Sequence, residues 1–232
     1  MVRQALLRLL PDQATPAAKT PAAAAERRPV VDAQTISNTS PNSRLELPPN
    51  ALVTPLARDL ALERGVELAA GRAAPQVAGN AGRSIAIGAD HGGFELKEQL
   101  KPMLVQLGWQ PVDCGTFSKD SVDYPDYAYA VARLVSEGRV QWGVIIDGAG
   151  IGSCMVANKV PGVRAALCYD LSSAANSREH NHANVLTLGA GLVGTNLAQQ
   201  IVKTWLDTPF GAGRHARRVE KITAIERRFA KG

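Results

Sequence analysis

The chain has 232 residues, is 45% hydrophobic, 20% charged and 5% aromatic, and carries a formal charge of +5 with three Cys. This is the profile of a water-soluble globular protein of one or two domains, and no run approaches the ~18 apolar residues that a membrane-spanning helix needs. Residues 1–30 lack the apolar core and cleavage site of a secretory signal, and Cys114, Cys154 and Cys168 form neither a disulfide framework nor a CxxC pair. A cytoplasmic, reducing location without structural zinc is therefore expected.

The totals conceal an uneven distribution. Residues 1–82 contain no Phe, Tyr, Trp, His or Cys, yet they hold 9 of the 14 Pro and 18 Ala, and all 11 aromatics lie at or beyond Phe94. A stretch without large rings has little to bury, which predicts a largely disordered N-terminal extension over 1–82 ahead of one folded domain over 83–232. Within the extension, Val2, Ala5, Leu6, Leu9 and Leu10 recur at helical spacing, making 1–10 a short amphipathic helix that orders only against a partner surface. Residues 11–50, rich in Pro, Ala, Ser, Thr and Asn, read as a tether. A second helix is predicted over about 55–64, with Thr54 as N-cap, Pro55 at its first position and Gly65 as its stop. Leu56, Leu60 and Leu62 would form its apolar side, as a docking element or as a solvated helix in a spacer.

From Arg83 onward strands and helices alternate. Strands are predicted over 84–88, 109–114, 142–146, 163–169 and 185–188, and helices over 94–107, 127–137, 172–179, 192–206 and 219–229. Trp142–Ile146 is the most apolar strand and should be central, because buried parallel strands lose polar alternation. The expected fold is a doubly wound, Rossmann-like α/β domain: a parallel sheet of about five strands, helices on both faces and the site at the strands' carboxyl ends.

The four His (His91, His180, His182 and His215) all fall in loops or at helix starts, which points to a polar, titratable site. After the first strand, Asp90-His91-Gly92-Gly93 offers a carboxylate and an imidazole to hydroxyls and phosphate. After the central strand, Asp147-Gly148-Ala149-Gly150-Ile151-Gly152-Ser153 can aim successive N–H groups at a phosphate or a developing enediolate, and its Gly-x-Gly-x-Gly spacing is not that of a dinucleotide loop. His180 and His182 invite a metal reading, but no carboxylate or thiolate stands at ligand spacing. Arg214 and Arg218, four apart on a helix, could clamp one phosphate. A basic nucleic-acid face is the competing reading, weakened by the lack of aromatics among the basic residues.

Six segments in order, Gly88-Ala-Asp90-His91-Gly-Gly-Phe94, Asp123-Tyr124-Pro125, Ala157-Asn158-Lys159, Arg178-Glu-His180-Asn181, Asn184-Val185-Leu186 and Gly213-Arg214-His215, resemble ribose-5-phosphate isomerase B and the related galactose-6-phosphate isomerase subunits over about 83–230. The resemblance implies an aldose–ketose isomerase of sugar phosphates that uses no metal or cofactor. It also implies a homodimer, or a dimer of dimers, with active sites at the subunit interface. It assigns Asp90 and Tyr124 to the sugar hydroxyls and ring oxygen, His180 of the partner chain to ring opening with Asn181 beside it, and His91, Arg214 and Arg218 to phosphate. The N–H groups of Gly148, Ala149, Gly150, Ile151 and Gly152 would stabilise the enediolate.

Two departures stand out. Family members carry a proton-transferring Cys at the position of Asp147, or a Glu at the position of Ser153, and a hydroxyl residue at the position of Ala149. Asp147 could serve as the base, because a carboxylate desolvated at a strand end can accept a carbon-bound proton. Alternatively it is tied to its own loop, leaving a sugar-phosphate binder without turnover. Cys154 is the runner-up base, and an isomerase of six-carbon phosphates is a further alternative. The extension also resembles targeting segments of bacterial microcompartment enzymes, which implies a shell-protein partner for residues 1–10. Neither membrane nor nucleic acid is expected as a partner.

Overall fold

A computed structural model describes residues 29–48, 51–69 and 83–229. The expected helix over 1–10 lies outside the described residues.

Residues 29–69 form a small unit built twice on one plan. Strand β1 (Val30–Val31) leads through the N-cap Asp32 into helix α1 (Ala33–Ser37), and strand β2 (Arg44–Glu46) follows. Strand β3 (Leu52–Val53) leads through the N-cap Thr54 into helix α2 (Pro55–Glu63), and strand β4 (Glu67–Ala69) follows. β1 pairs with β3 and β2 with β4, both parallel. Each cap accepts a backbone N–H of its own first turn, Asp32 from Thr35 at 2.8 Å and Thr54 from Ala57 at 3.2 Å. Val31, Ile36, Val53, Ala57, Ala61 and Val66 close a core of small aliphatics. The tether reading of 11–50 is thus corrected for its described residues. On α2, Leu60 packs against this core as expected and Ala57 and Ala61 are buried, whereas Leu62, expected on the apolar side, is 82% exposed.

The remaining described residues form one layered domain. Strand β5 (Ser84–Ala89), helix α3 (Phe94–Gln106), strand β6 (Gln110–Asp113), helix α4 (Tyr124–Ser136), strand β7 (Trp142–Asp147) and helix α5 (Ile151–Ala157) come first. Strand β8 (Ala165–Leu167), helix α6 (Leu171–Glu179), strand β9 (Val185–Gly189), helix α7 (Thr195–Asp207) and helix α8 (Ala212–Phe229) follow. All five strands are parallel, in the order β6-β5-β7-β9-β8, so Trp142–Asp147 is central as its composition requires. Pro111 sits on β6, an edge strand, where a missing N–H is tolerated.

Alternation along the strands divides the core between the two faces. Ile85, Ile87, Val144, Ile146, Leu186 and Leu188 pack under α3, α6 and α7. Ala86, Ile145 and Val185 pack under α4 and α5. Two elements depart from the sequence reading. The end of the glycine loop is helical, as α5, and α8 starts at Ala212 rather than 219, with a kink at Gly213.

The small unit docks on the outer side of α4. Asp126, buried in the first turn of α4, accepts hydrogen bonds from Thr54 Oγ1 at 2.8 Å and the Ala33 N–H at 3.3 Å. One and two turns further along α4, the Tyr129 hydroxyl and Arg133 Nη1 donate to Asp59 of α2, the latter at 2.9 and 3.1 Å.

Candidate active site

The carboxyl ends of β5 and β7 bring the first set of predicted residues together. Asp90 follows β5, is 9% exposed and accepts the Gly93 N–H at 2.9 Å, which locks the turn into α3. Burial pushes its carboxyl above the usual carboxylate range, and the negative charge of Asp147 adds to that despite the opposing Gly93 bond. His91 lies exposed beside it, its Nδ1 3.2 Å from both the backbone N and O of Val122. Tyr124 opens α4 and packs on the loop at Gly152, where an added Cβ would stand 2.6–2.7 Å from the ring and hydroxyl. Gly152 is therefore required for the tyrosine's position.

Asp147 turns back onto its own loop. One carboxylate oxygen accepts the Ala149 N–H at 2.8 Å and the Gly150 N–H; the other accepts the Ser153 N–H at 3.1 Å and the Ser153 hydroxyl. Gly150 adopts φ 77°, which lets the chain reverse into α5. Two of the five N–H groups expected to face an enediolate are thus engaged. Among the described residues those of Gly148, Ile151 and Gly152 have no protein acceptor. Asp147 and Ser153 are thus in direct side-chain hydrogen-bond contact. Cys154 points away, its thiol on the Ala165 carbonyl at 3.5 Å, and burial pushes its pKa up. Pattern reading missed Tyr169, which follows β8 and donates its hydroxyl to the Ala149 carbonyl at 2.9 Å. Its position past a strand's carboxyl end was the available signal.

The second set gathers at the opposite end of the sheet. His180 caps the carboxyl end of α6 and stacks on His215 with ring centroids 4.2 Å apart. Its Nδ1 lies 2.9 Å from the Asn176 amide nitrogen, and Arg214 Nε is 3.5 Å from His215 Nε2. His215 is 9% exposed; burial, then the neighbouring His180 and Arg214, hold its pKa below the usual imidazole value. Arg214 and Arg218 share α8, and Asn181 follows His180. Two residues beyond His180, His182 meets the edge of Trp142, the first residue of β7, whereas Asp147 is that strand's last. A strand rises ~3.3 Å per residue, so the five steps from Trp142 to Asp147 set the two ends of β7 about 16 Å apart within one chain. Among the described residues no group of three or more His, Cys, Asp or Glu is placed to hold a metal, and no helix is long and apolar enough to cross a membrane.

A family model described as Ribose/Galactose Isomerase matches residues 85–222. The chain belongs to the ribose/galactose isomerase family. Ribose-5-phosphate isomerase B of Escherichia coli is 47% identical over 146 residues, 63% of this chain and 98% of that protein. D-erythrulose-4-phosphate isomerase of Pectobacterium atrosepticum is 44% identical over 147 residues, 62% of this chain and 95% of that protein. The solved structure of Clostridium thermocellum ribose-5-phosphate isomerase B superposes with a TM-score of 0.62 at 48% identity, over 63% of this chain and 99% of that one. This isomerase therefore spans nearly the whole of those relatives and adds residues ahead of them. It is an aldose–ketose isomerase.

Proposed function

We propose that the protein interconverts ribose 5-phosphate and ribulose 5-phosphate in a homodimer whose active sites each draw on both chains. One observation carries the shared site: the two sets of polar residues lie at opposite ends of the same sheet, so neither chain alone can surround a five-carbon phosphate with both. A two-fold axis that brings the carboxyl end of one chain to the amino end of the other completes two equivalent sites.

In that arrangement Asp90 and Tyr124 hold the sugar hydroxyls and ring oxygen. His180 of the partner subunit, with the partner's Asn181 beside it, shuttles the proton that opens the ring, and His91 together with the partner's Arg214 and the partner's Arg218 fixes the phosphate. Asp147 then takes the proton from C2 and returns it to C1, while the O2 proton passes to O1 as the C2 carbonyl forms. The negative charge formed meanwhile on the substrate oxygen meets the N–H groups of Gly148, Ile151 and Gly152. Three of the four donors on Asp147 are fixed backbone N–H groups, but the fourth, the Ser153 hydroxyl, rotates about its Cβ–Oγ bond and can release a lone pair on Asp147. The pair Asp147–Ser153 thereby replaces the single Cys or Glu of other members.

Turnover of ribose 5-phosphate should exceed that of D-erythrulose 4-phosphate and of six-carbon aldose phosphates in kcat/KM. A higher value for another sugar phosphate would reassign the substrate, and no turnover of any of them would leave a sugar-phosphate binder. The targeting reading of residues 1–10 is tested separately, by fusing them to a reporter in a shell-producing host; a diffuse signal rejects it.

A further inference from the structure

The amino end of the sheet holds a second cavity that the isomerase site does not use. It has a volume of about 360 Å³, with Arg83, Trp109, Trp142, Arg178, Asp207 and Thr208 among its walls. Arg178 is 5% exposed, and its guanidinium lies 3.9 Å above the Trp142 ring and 4.8 Å from that of Trp205. Its Nη1 donates to the Ala183 carbonyl, yet its Nε–H is buried without an acceptor and no carboxylate pairs with it among the described residues. The one carboxylate on the wall, Asp207, is turned to Lys203. Arg83, at the start of β5, has no ion pair among the described residues either.

Buried charges in proteins are ordinarily paired, and two aromatic faces with one carbonyl leave most of a guanidinium's five donors unanswered. The neighbouring Arg164 adds like charge, so the local balance lacks an anion. The guanidinium fork matches phosphoryl oxygens, and the cavity exceeds a bare ion, leaving room for a short carbon body against Trp109. We infer that this cavity binds a small phosphate monoester, with Arg83 and Arg178 on its phosphoryl oxygens, at a site separate from the catalytic one.

All three Trp of the chain, Trp109, Trp142 and Trp205, border this cavity or stack directly on its wall, so their emission reports its occupancy. The full chain is titrated with inorganic phosphate and with ribose 5-phosphate while tryptophan emission is followed. Saturable change is expected in the native protein and in Arg214→Ala, which removes a residue assigned to the catalytic phosphate. Arg83→Glu, at an exposed position that does not endanger folding, should weaken the titration by about tenfold or more while leaving KM for turnover unchanged. Thr208→Val should weaken it less. No saturable change in the native protein, an unchanged titration in Arg83→Glu, or a titration lost in Arg214→Ala but kept in Arg83→Glu would overturn the inference. None of those results touches the proposed isomerisation, which the substrate panel tests on its own.

Discussion

The two ends of the sheet are built from different chemistry. At the carboxyl end, Asp90, Tyr124 and the loop from Asp147 to Ser153 supply carboxylates, two hydroxyls and backbone N–H groups, packed so closely that Gly152 has no space for a side chain. At the amino end, His180, His215, Arg214 and Arg218 supply imidazoles and cations on the rims of α6 and α8. One end can move protons and hold an enediolate; the other can protonate a ring oxygen and hold a phosphate. In the proposed dimer these two ends would act as complementary half-sites, one from each chain, kept apart within a chain by the sheet between them.

The largest expected effect tests the two halves equally. Asp147→Asn and His180→Ala should each lower kcat by roughly 10²–10⁴, the usual range for a positioned acid or base. Because Asp147→Asn keeps one acceptor oxygen but turns its NH2 toward two of the loop's four donors, KM is measured beside kcat, and a loss of kcat at a KM within about threefold of the native value marks lost proton transfer rather than a displaced loop. If steady-state kinetics showed an unimpaired kcat for either variant, that half would lose its catalytic assignment. Ser153→Ala should fall between them and the native enzyme, removing the one rotatable donor but not the carboxylate.

The docked unit gives the next effect. Asp126→Ala strands two donors, Thr54 Oγ1 and the Ala33 N–H, and should destabilise the docking of 29–69 by about 1–3 kcal/mol, read as faster hydrogen exchange of its amides. Asp126→Asn should cost less, since its amide oxygen can still accept both.

Acid should then separate the two ends. His215 is held below the ordinary imidazole pKa when folded, so the stability from its neutral ring is complete above the unfolded value, about 6.5, and is lost as pH falls toward the folded one. Urea midpoints should drop between pH 7.5 and 5.5, and His215→Gln should flatten that drop. The smallest effect belongs to Leu62→Ser on the solvent side of α2, which should stay within about 0.5 kcal/mol of the native stability.

Much of this was legible in the sequence because it is written in short-range pattern. The unbroken apolar run of Trp142–Ile146 gives a buried central strand, and Thr54-Pro55 with Gly65 gives the limits of α2 to within one residue. What escaped depends on distant partners. Lys97 reads as a polar position on α3, yet it is fully buried, with Nζ 2.6 and 2.8 Å from the Asp113 carboxylate on β6 and two Phe rings nearby. Burial raises the Asp113 carboxyl, and its bonds from Lys101 and Lys97 more than reverse that, holding it below the usual range. The unit at 29–69 escaped because aromatic content is a poor guide to a small fold that borrows the side of α4 as its second layer. Helix α5 was hidden by Gly150 and Gly152, poor helix formers that the loop needs for φ and for space. The orientation of Asp147 escaped for a simpler reason: the residue types admit a free base and a loop-bound carboxylate alike.

Subunit complementation tests the shared site most directly. Asp147→Asn and His180→Ala chains with different affinity tags are co-expressed, and the mixed dimer is isolated through both tags. One of its sites inherits both substitutions and the other neither, so about half of the native kcat per dimer should return, from two parents that are each nearly inactive. A mixed dimer no more active than its parents would contradict the account, because it would place both residues in a site built from one chain.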